Sequence, residues 1–285
     1  MSPTDDPGVP GPGIDAPLFV QHLAEELDQA LRGLAAQPSV LVALDFDGVL
    51  APLVDDPSRS QVVPAAAEAL ARLDTLPGIH LALVSGREAT GLVEIAEVPA
   101  GTRVVGSHGA QRGHVGLSAD RTRELVAEPL ALTAEQQTLH AAVLREARTL
   151  AERYEGAWVE VKPVSVVVHS RLAGPHDAAT LTEEVLAGPA THDGLRVQHG
   201  KNVVEMAVLH TTKGDAIVEL RADVAPTAVL FAGDDVTDED AFAVLGPDDV
   251  GIKVGDGPTA AQYRVADPDE LAAVLLRLVE LRETV

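Results

Sequence analysis

The chain has 285 residues, 46% of them hydrophobic, which suits a globular protein with a substantial core and argues against wholesale disorder. A formal net charge of −23 at pH 7 and an aromatic content of only 2% disfavour nucleic acids and anionic membranes as partners. Because cysteine is absent, thiol catalysis, disulfides and thiolate metal sites are excluded.

The N-terminal segment differs in composition from the rest of the chain. Residues 1–17 are rich in proline, glycine and aspartate and predict a disordered tail. Residues 18–34 place Phe19 and four leucines at helical spacing, which predicts an opening helix. No apolar run is long enough to cross a membrane and no leader pattern is visible, so we expect a cytoplasmic protein. The oligomeric state stays open, with a monomer as one option.

An uninterrupted apolar run, Val40–Leu44, leads directly into Asp45, Asp47 and Gly48. Such a run predicts a strand buried on both faces of a parallel sheet, and open α/β sheets bind ligands at the carboxyl ends of their strands. Two carboxylates there are costly to bury unless a positive partner joins them, and Mg²⁺ is the simplest one. An Asp-x-Asp-Gly sequence is also a common turn, so these residues alone leave both interpretations open.

A second apolar strand, 79–84, ends in a similar way, at Ser85, Gly86 and Arg87. A helix is predicted to begin near Glu88, and the backbone N–H groups of a helix start beside a hydroxyl form an anion site. The alternative is that Ser85 only caps the helix, which is the commoner case for such serines.

After a short predicted strand at 103–105 and a turn that contains His108, the pattern of predicted elements changes. The side chain of His108 faces either a site or solvent. The next predicted elements are helix 133–154, strands 158–162 and 164–169, helix 177–186, and a hairpin of 195–198 with 202–206. This order describes a small sheet covered by helices, and we expect it to be a second domain inserted into the first.

The first strand of this inserted region alternates between charged and apolar residues. A period of two places Glu160 and Lys162 on one face and Val159 and Val161 on the other. The charged face is either a solvated ion pair of small consequence or a surface that overhangs the acidic site and binds a polar substrate. The residues leave both interpretations open.

Two later stretches carry charge at the ends of elements. Lys213 lies in the first turn of a predicted helix, where the helix dipole disfavours a cation, so another group must bind it. A buried strand at 227–232 is followed by five acidic residues among the seven from Asp234 to Asp240. Helix capping does not need so many carboxylates, and a bound metal would explain them.

Strands that alternate with helices predict a doubly wound parallel sheet whose strand ends gather at one edge. A last strand at 250–254 and an amphipathic helix at 267–281 complete the pattern. Four segments, in order, offer Asp45 and Asp47, Ser85, Lys213 and Asp234, and we expect these residues to converge.

The order of these motifs resembles that of the haloacid dehalogenase superfamily of phosphotransferases, over essentially the whole chain after the tail. Its four signatures correspond, in order, to Asp45-Phe46-Asp47-Gly48, Ser85-Gly86-Arg87, Lys213-Gly214, and Gly233-Asp234-Asp235 with Asp238. The resemblance implies a Rossmann-like α/β core with an inserted α/β cap domain. We place the core at 18–112 and 207–285 and the cap at 113–206.

The resemblance also implies catalytic roles. Asp45 is expected to be the nucleophile that forms an aspartyl-phosphate, and Asp47 the acid and then the base. Ser85 and Lys213 are expected to bind the transferring phosphoryl group, where positioning and charge stabilisation supply most of the catalysis.

The implied cofactor is Mg²⁺. Its ligands are expected to be Asp45, the backbone carbonyl of Asp47, and Asp234, with Asp235 and Asp238 supporting them or binding occasionally.

Within the superfamily, the chain resembles trehalose-6-phosphate phosphatases. The similarity rests on the acidic motif at 233–240, on Ser-Gly-Arg at 85–87 and on Gly-Ser-His-Gly-Ala at 106–110. These motifs imply that Gly86, Arg87 and His108 bind substrate. In that family a Glu, a Lys and a second Glu of the cap bind sugar hydroxyls. The implied residues here are Glu160, Lys162 and Glu205.

The cap departs from the family pattern at two places. Ser170 stands where an aromatic residue is usual, and Ala207-Val208 replace a common Arg-Pro pair. These departures bear on the choice of sugar and leave the phosphatase motifs intact.

The implied function is Mg²⁺-dependent hydrolysis of trehalose 6-phosphate, with a small-molecule sugar phosphate as the partner. Alternatives of the same architecture are phosphatases for sucrose phosphate or a glycosyl phosphoglycerate. A phospho-aspartate signalling module is a different class, but such a module needs neither Asp47 nor an inserted domain. A sugar-phosphate-binding regulator that has lost catalysis is a further alternative, although every catalytic position is filled.

Overall fold

The protein is described by a computed structural model that covers residues 24–54, 56, 59–129, 132–200, 202–209 and 211–284. The predicted tail at 1–17 lies outside these residues, as does the start of the predicted first helix. The helices are α1 Glu25–Ala35, α2 Pro64–Asp74, α3 Ala89–Ile95, α4 Ala134–Ala151, α5 Pro175–Ala187, α6 Lys213–Val224, α7 Glu239–Phe242 and α8 Pro268–Glu283. The strands are β1 Val40–Leu44, β2 Ile79–Val84, β3 Arg103–Gly106, β4 Gln111–Leu117, β5 Arg123–Ala127, β6 Trp158–Val161, β7 Ser165–His169, β8 Arg196–Gly200, β9 Val203–Ala207, β10 Ala228–Gly233, β11 Val250–Val254 and β12 Tyr263–Val265.

Eight strands form the larger sheet, in the order β12-β11-β10-β1-β2-β3-β4-β5. The six strands from β12 to β3 are parallel, whereas β4 and β5 continue the sheet in antiparallel fashion. The chain passes from β1 to β2 on one side and later returns to β10 on the other. The strand order therefore reverses at β1, which is where such sheets open a crevice for ligands.

Helices cover both faces of this sheet, and the residues of β1 alternate between two clusters of buried side chains. Val40, Val42 and Leu44 pack with residues of α1, α2 and α8. Leu41 and Ala43 pack on the opposite face with residues of α6 and α7. Burial on both faces explains why the sequence of β1 is continuously apolar. In the described part of the chain, no helix is both long and apolar enough to span a bilayer.

The smaller sheet is antiparallel and has the order β6-β7-β9-β8. Its apolar side chains pack with those of α4 and α5 in a third cluster, which includes Val143, Val166, Leu181 and Met206. The predicted order of helix, two strands, helix and two strands is therefore confirmed, and so is the α/β core with a separate cap sheet.

The boundary between the two sheets differs from the prediction. The predicted boundary at residues 112 and 113 falls inside β4, and both β4 and β5 belong to the larger sheet. These two strands were not predicted, because pairing with β3 places them there and their apolar pattern is weak. We infer that the inserted cap begins after Ala127 and ends near Ala207, where β9 ends.

Candidate active site

Three predicted segments, which begin at Asp45, Ser85 and Asp234, meet where the strand order reverses. The backbone N–H of Asp45 donates to Ala232 O at 3.0 Å, and that of Ser85 donates to Val105 O at 2.9 Å. Both residues thus continue the ladder just beyond their strands. The open space at this edge, here called the acidic cavity, is lined by Gly86 and Arg87 together with Asp45, Asp47, Ser85, Lys213, Asp234 and Asp235.

Lys213 joins two carboxylates beneath the acidic cavity. Its ammonium donates to Asp45 Oδ2 at 2.6 Å and to Asp238 Oδ1 at 2.7 Å. Burial opposes the charge of this lysine, but the two carboxylates outweigh burial and raise its pKa above the usual value. The cation that the helix dipole disfavours is therefore held by two acids from other strand ends.

The start of α6 places this lysine. The Thr212 hydroxyl accepts from Asp215 N at 3.1 Å, and the Asp215 carboxylate accepts from Thr212 N at 2.9 Å. This reciprocal capping satisfies the first turn without Lys213. A Cβ at Gly214 would lie 2.5 Å from Asp240 O, so glycine allows α6 to approach the acidic loop closely.

Asp238 organises the acidic loop after β10. Its Oδ2 accepts from the backbone N–H groups of Asp234 and Asp235 at 3.0 and 2.9 Å, while its Oδ1 faces Lys213. A Cβ at Gly233 would lie 2.2 Å from Asp238 Cγ, so only glycine permits this packing. Asp238 is fully buried, which sets it apart from the exposed Asp235.

Three carboxylates can hold a metal ion together. Oxygen atoms of Asp45, Asp234 and Asp238 lie within 4.8 Å of one another. Burial raises the pKa of Asp45 to about 7 and that of Asp234 to about 6; the charge of Asp238 adds to both shifts, and the charge of Lys213 opposes them. A hard divalent cation bound by oxygen ligands would stabilise the ionised carboxylates, so the donor set fits Mg²⁺.

The remaining predicted ligands use their carboxylates elsewhere. Asp235 Oδ1 accepts from Thr237 N at 2.6 Å. The Arg87 guanidinium donates to both carboxylate oxygens of Asp47, from Nε to Oδ2 at 2.5 Å and from Nη2 to Oδ1 at 2.7 Å. The hydrogen bonds to Asp47 raise the pKa of Arg87 further. Arg87, predicted to bind substrate, thus contacts a carboxylate of the acidic cavity in this conformation.

Two residues at this site were not predicted. Ser60 is 3% exposed, and its Oγ donates to Asp47 Oδ1 at 3.0 Å. Lys253 is 4% exposed and donates to the backbone oxygen of Asp234 at 2.5 Å. A single lysine within the buried strand β11 was a signal that could have revealed Lys253. Ser60 lies in a polar loop and carries no comparable signal.

The turn that contains His108 rests on the second motif. Ser107 N donates to Arg87 O at 2.7 Å, and a Cβ at Gly106 would lie 2.7 Å from Ala89 N. The backbone of this turn is therefore packed against the Ser-Gly-Arg segment. The side chain of His108 lies outside the described structure, so its predicted role stays a prediction.

A second cavity, here called the cap cleft, separates the two sheets. Gly86 lines both the cap cleft and the acidic cavity. The predicted sugar-binding residues Glu160, Lys162 and Glu205 all line the cap cleft. Ser165, Arg196 and Gln198 line it as well and were not predicted as site residues.

The carboxylates of the cap cleft have fixed partners. Glu205 Oε1 accepts from Ser165 Oγ at 2.6 Å and from Lys162 Nζ at 3.2 Å. Glu160 Oε2 lies 2.8 Å from His169 Nε2, and the His169 ring stacks on Trp158 with centroids 4.6 Å apart. Neighbouring side chains thus orient both acids.

The sequence is similar to those of known phosphatases. The sequence profile of the trehalose-phosphatase family matches residues 43–269. The chain is 32% identical over 278 residues to trehalose-phosphate phosphatase of Mycobacterium tuberculosis, which covers 90% of this chain and 67% of that protein.

Solved structures agree on the fold. Trehalose-6-phosphate phosphatase of Aspergillus fumigatus superposes with a TM-score of 0.64 at 23% identity, over 89% of this chain and 97% of that one. A Bacteroides thetaiotaomicron phosphatase of the haloalkanoate (HAD) superfamily gives 0.51 at 16% identity, over 86% and 96%. The larger sheet with its cap is therefore a HAD fold, and the chain belongs to the trehalose-phosphatase family.

Proposed function

We propose that this enzyme is a Mg²⁺-dependent phosphatase that hydrolyses trehalose 6-phosphate to trehalose and phosphate. The observation that carries the proposal is that the acidic cavity and the cap cleft meet at Gly86. One cavity has a lysine, a hydroxyl and carboxylates suited to a phosphoryl group, and the other has carboxylates suited to sugar hydroxyls. The names of the relatives supply the particular sugar.

Asp45 is the proposed nucleophile. Phe46 N donates to its Oδ1 at 2.6 Å and Lys213 donates to its Oδ2 at 2.6 Å, so the carboxylate is held in one orientation. Attack of a carboxylate oxygen on phosphorus forms an aspartyl-phosphate as the bond to the sugar oxygen breaks. Water then attacks this phosphorus, releases phosphate and regenerates Asp45.

Lys213 and Ser85 would bind the phosphoryl oxygens during both steps. Lys213 already touches the nucleophile, so its charge offsets repulsion between the carboxylate and the phosphate. Ser85 lines the same cavity at the end of β2. Donors fixed in place before the reaction stabilise the charge of the transition state without further reorganisation.

Asp47 is the proposed acid and base. It protonates the departing sugar oxygen and later removes a proton from the attacking water. Its loop turns sharply at Gly48, where φ is +73° and a Cβ would overlap the Asp234 carboxylate. Glycine at this position therefore brings the first and last acidic motifs together.

Of the described residues, Asp45, Asp234 and Asp238 carry carboxylates close enough together to hold Mg²⁺, and the backbone carbonyl of Asp47 is a further candidate. When bound, the ion would neutralise charge on the phosphoryl oxygens. Lys253, through its bond to Asp234 O, would keep the acidic loop in place.

In the cap cleft, Glu160, Lys162 and Glu205 would bind hydroxyls of the sugar. Carboxylates accept hydrogen bonds from hydroxyl groups and ammonium groups donate them, so the three together suit a polyhydroxylated ligand. Phosphatases for sucrose phosphate or a glycosyl phosphoglycerate remain the alternatives, because only these cap contacts distinguish the sugars.

The test is phosphate release from trehalose 6-phosphate, sucrose 6-phosphate and glucose 6-phosphate, with Mg²⁺ and in excess chelator. We expect Mg²⁺-dependent release with a clear preference for trehalose 6-phosphate. A preference for another sugar would overturn the assignment of substrate. Undiminished release in chelator would overturn the metal assignment, and no release from any ester would favour a signalling or binding protein.

A further inference from the structure

We propose that Ser60 is a positioning residue for the acid/base carboxylate of Asp47. This inference rests on the proposed function, because it concerns the proton that Asp47 transfers. Ser60 belongs to the segment between β1 and α2. Its side chain is buried, with 3% of the residue exposed.

The hydroxyl of Ser60 closes a three-membered network. Ser60 Oγ donates to Asp47 Oδ1 at 3.0 Å and accepts from Arg87 Nη2 at 3.0 Å. The same Nη2 donates to Asp47 Oδ1 at 2.7 Å, while Nε donates to Oδ2 at 2.5 Å. Each of the three side chains therefore contacts the other two, and both oxygens of Asp47 are engaged.

Ser60 is a better anchor for Asp47 than Arg87 is. A serine has one side-chain torsion before its oxygen, whereas an arginine has several and loses more conformational freedom when it is held. The loop that contains Ser60 is tied back to the Asp47 loop, because Val63 N donates to Leu50 O at 2.9 Å. This hydrogen bond holds the segment that contains Ser60 beside the Asp47 loop.

The arginine is itself steadied by the network. Its guanidinium lies 5.4 Å above the centre of the Phe46 ring, and its side chain is 20% exposed. A phosphate or sugar oxygen that enters the acidic cavity would compete with Asp47 for this guanidinium. Ser60 would then remain as a hydrogen-bond partner that keeps Oδ1 in place while Arg87 is engaged elsewhere.

The loss of this partner should affect proton transfer more than phosphorus attack. A sugar alkoxide is a poor leaving group and needs a proton as the bond to phosphorus breaks, whereas an acidic phenol leaves without one. A residue that positions Asp47 is therefore distinguished by the dependence of the rate on the leaving group. A residue that only supports the fold would affect all esters alike.

The experiment compares wild type with Ser60→Ala. The readout is kcat/KM, which reports transfer to Asp45, for trehalose 6-phosphate and for aryl phosphates of decreasing phenol acidity. We expect a loss on the order of tenfold for the sugar ester and less than about twofold for the most activated aryl ester. Ser60→Thr, which retains the hydroxyl, should restore the wild-type dependence.

Thr102→Val is the matched control. Thr102 is 2% exposed, directly precedes β3 in the larger sheet, and among the described residues its hydroxyl makes no hydrogen bond. Its removal should leave the leaving-group dependence unchanged.

An equal loss on all esters, no loss on any, or a Ser60→Thr profile that matches Ser60→Ala would overturn the role of Ser60. The aryl series keeps this test separate from the choice of sugar. If wild type proves inactive on trehalose 6-phosphate, the proposed substrate is wrong. The dependence of kcat/KM on phenol acidity across the aryl esters still tests the role of Ser60.

Discussion

The acidic cavity and the cap cleft each contain a lysine bound to carboxylates, but in different surroundings. The Lys213 side chain is 2% exposed and lies 2.6 and 2.7 Å from two buried acids. The Lys162 side chain is 42% exposed and lies 3.2 Å from Glu205. The same ion-pair chemistry is thus buried in one region and largely hydrated in the other.

This difference shows how the two regions would divide the work. The charges of Lys213, Asp45 and Asp238 are buried in a low-dielectric setting, where they would act strongly on a reacting phosphoryl group. Charges in the cap cleft are partly solvated, so a sugar hydroxyl can replace water or a neighbouring side chain at modest cost. Chemistry would depend on the first region, and recognition of the sugar on the second.

Replacement of the proposed nucleophile should have the largest effect. Asp45→Asn removes the attacking oxygen, so we expect turnover of every phosphate ester to fall by on the order of 10⁴-fold or more. The fold should be retained, because Lys213 still pairs with Asp238. Phosphate release and thermal unfolding measure the two effects. Asp223→Asn, at an exposed position of α6, is the control, and substantial activity in Asp45→Asn would exclude this nucleophile.

Removal of the buried lysine should affect stability as well as activity. Lys213→Met leaves buried carboxylates without their cation, so we expect the free energy of unfolding to fall by about 3–5 kcal/mol. Lys162→Met is the matched variant in the cap cleft and should cost no more than about 1 kcal/mol, because that pair is largely exposed. Denaturant unfolding in chelator measures both. Equal losses would mean that the two ion pairs do not differ as described.

Metal binding should depend on the acidic cavity alone. Mg²⁺ should raise the Tm of wild type, since the three-carboxylate cluster forms only in the folded state. Asp234→Asn should weaken Mg²⁺ binding, measured by calorimetric titration, on the order of 100-fold, because it removes a charged ligand. Asp256→Asn, in the exposed loop after β11, should bind as wild type does. Unchanged affinity in Asp234→Asn would place the ion elsewhere.

Sequence patterns predicted that these acidic and polar segments would converge, because each segment is local. Each segment consists of an apolar strand and the few residues that follow it, and the parallel order of strands brings Asp45, Ser85 and Asp234 to one edge. Lys213 was identified by its unfavourable place at a helix start. Such signals lie within short segments, so they can be interpreted without knowledge of the rest of the chain.

Contacts between distant segments were beyond the same reasoning. Nothing near Ser60 indicates that it meets Asp47 and Arg87, because that contact needs the path of the whole loop. Strand β5 is mostly exposed along its length, so its sequence lacks the pattern of a buried strand. Pairing with β4 determines its place in the sheet.

The division of work between the two regions is tested most directly with one cap variant and two substrates. Glu160 lines the cap cleft and lines no part of the acidic cavity. We expect Glu160→Ala to lower kcat/KM for trehalose 6-phosphate by roughly 10- to 100-fold, the cost of a lost hydrogen bond to a charged group. A small aryl phosphate, which does not reach the cap cleft, should be hydrolysed as by wild type.

Glu183→Ala, at an exposed position of α5 in the cap, controls for general damage to that domain. A selective loss on the sugar ester, absent from this control, would show that the cap cleft recognises the sugar. An equal loss of kcat/KM on both esters in Glu160→Ala would contradict the separation of chemistry from recognition.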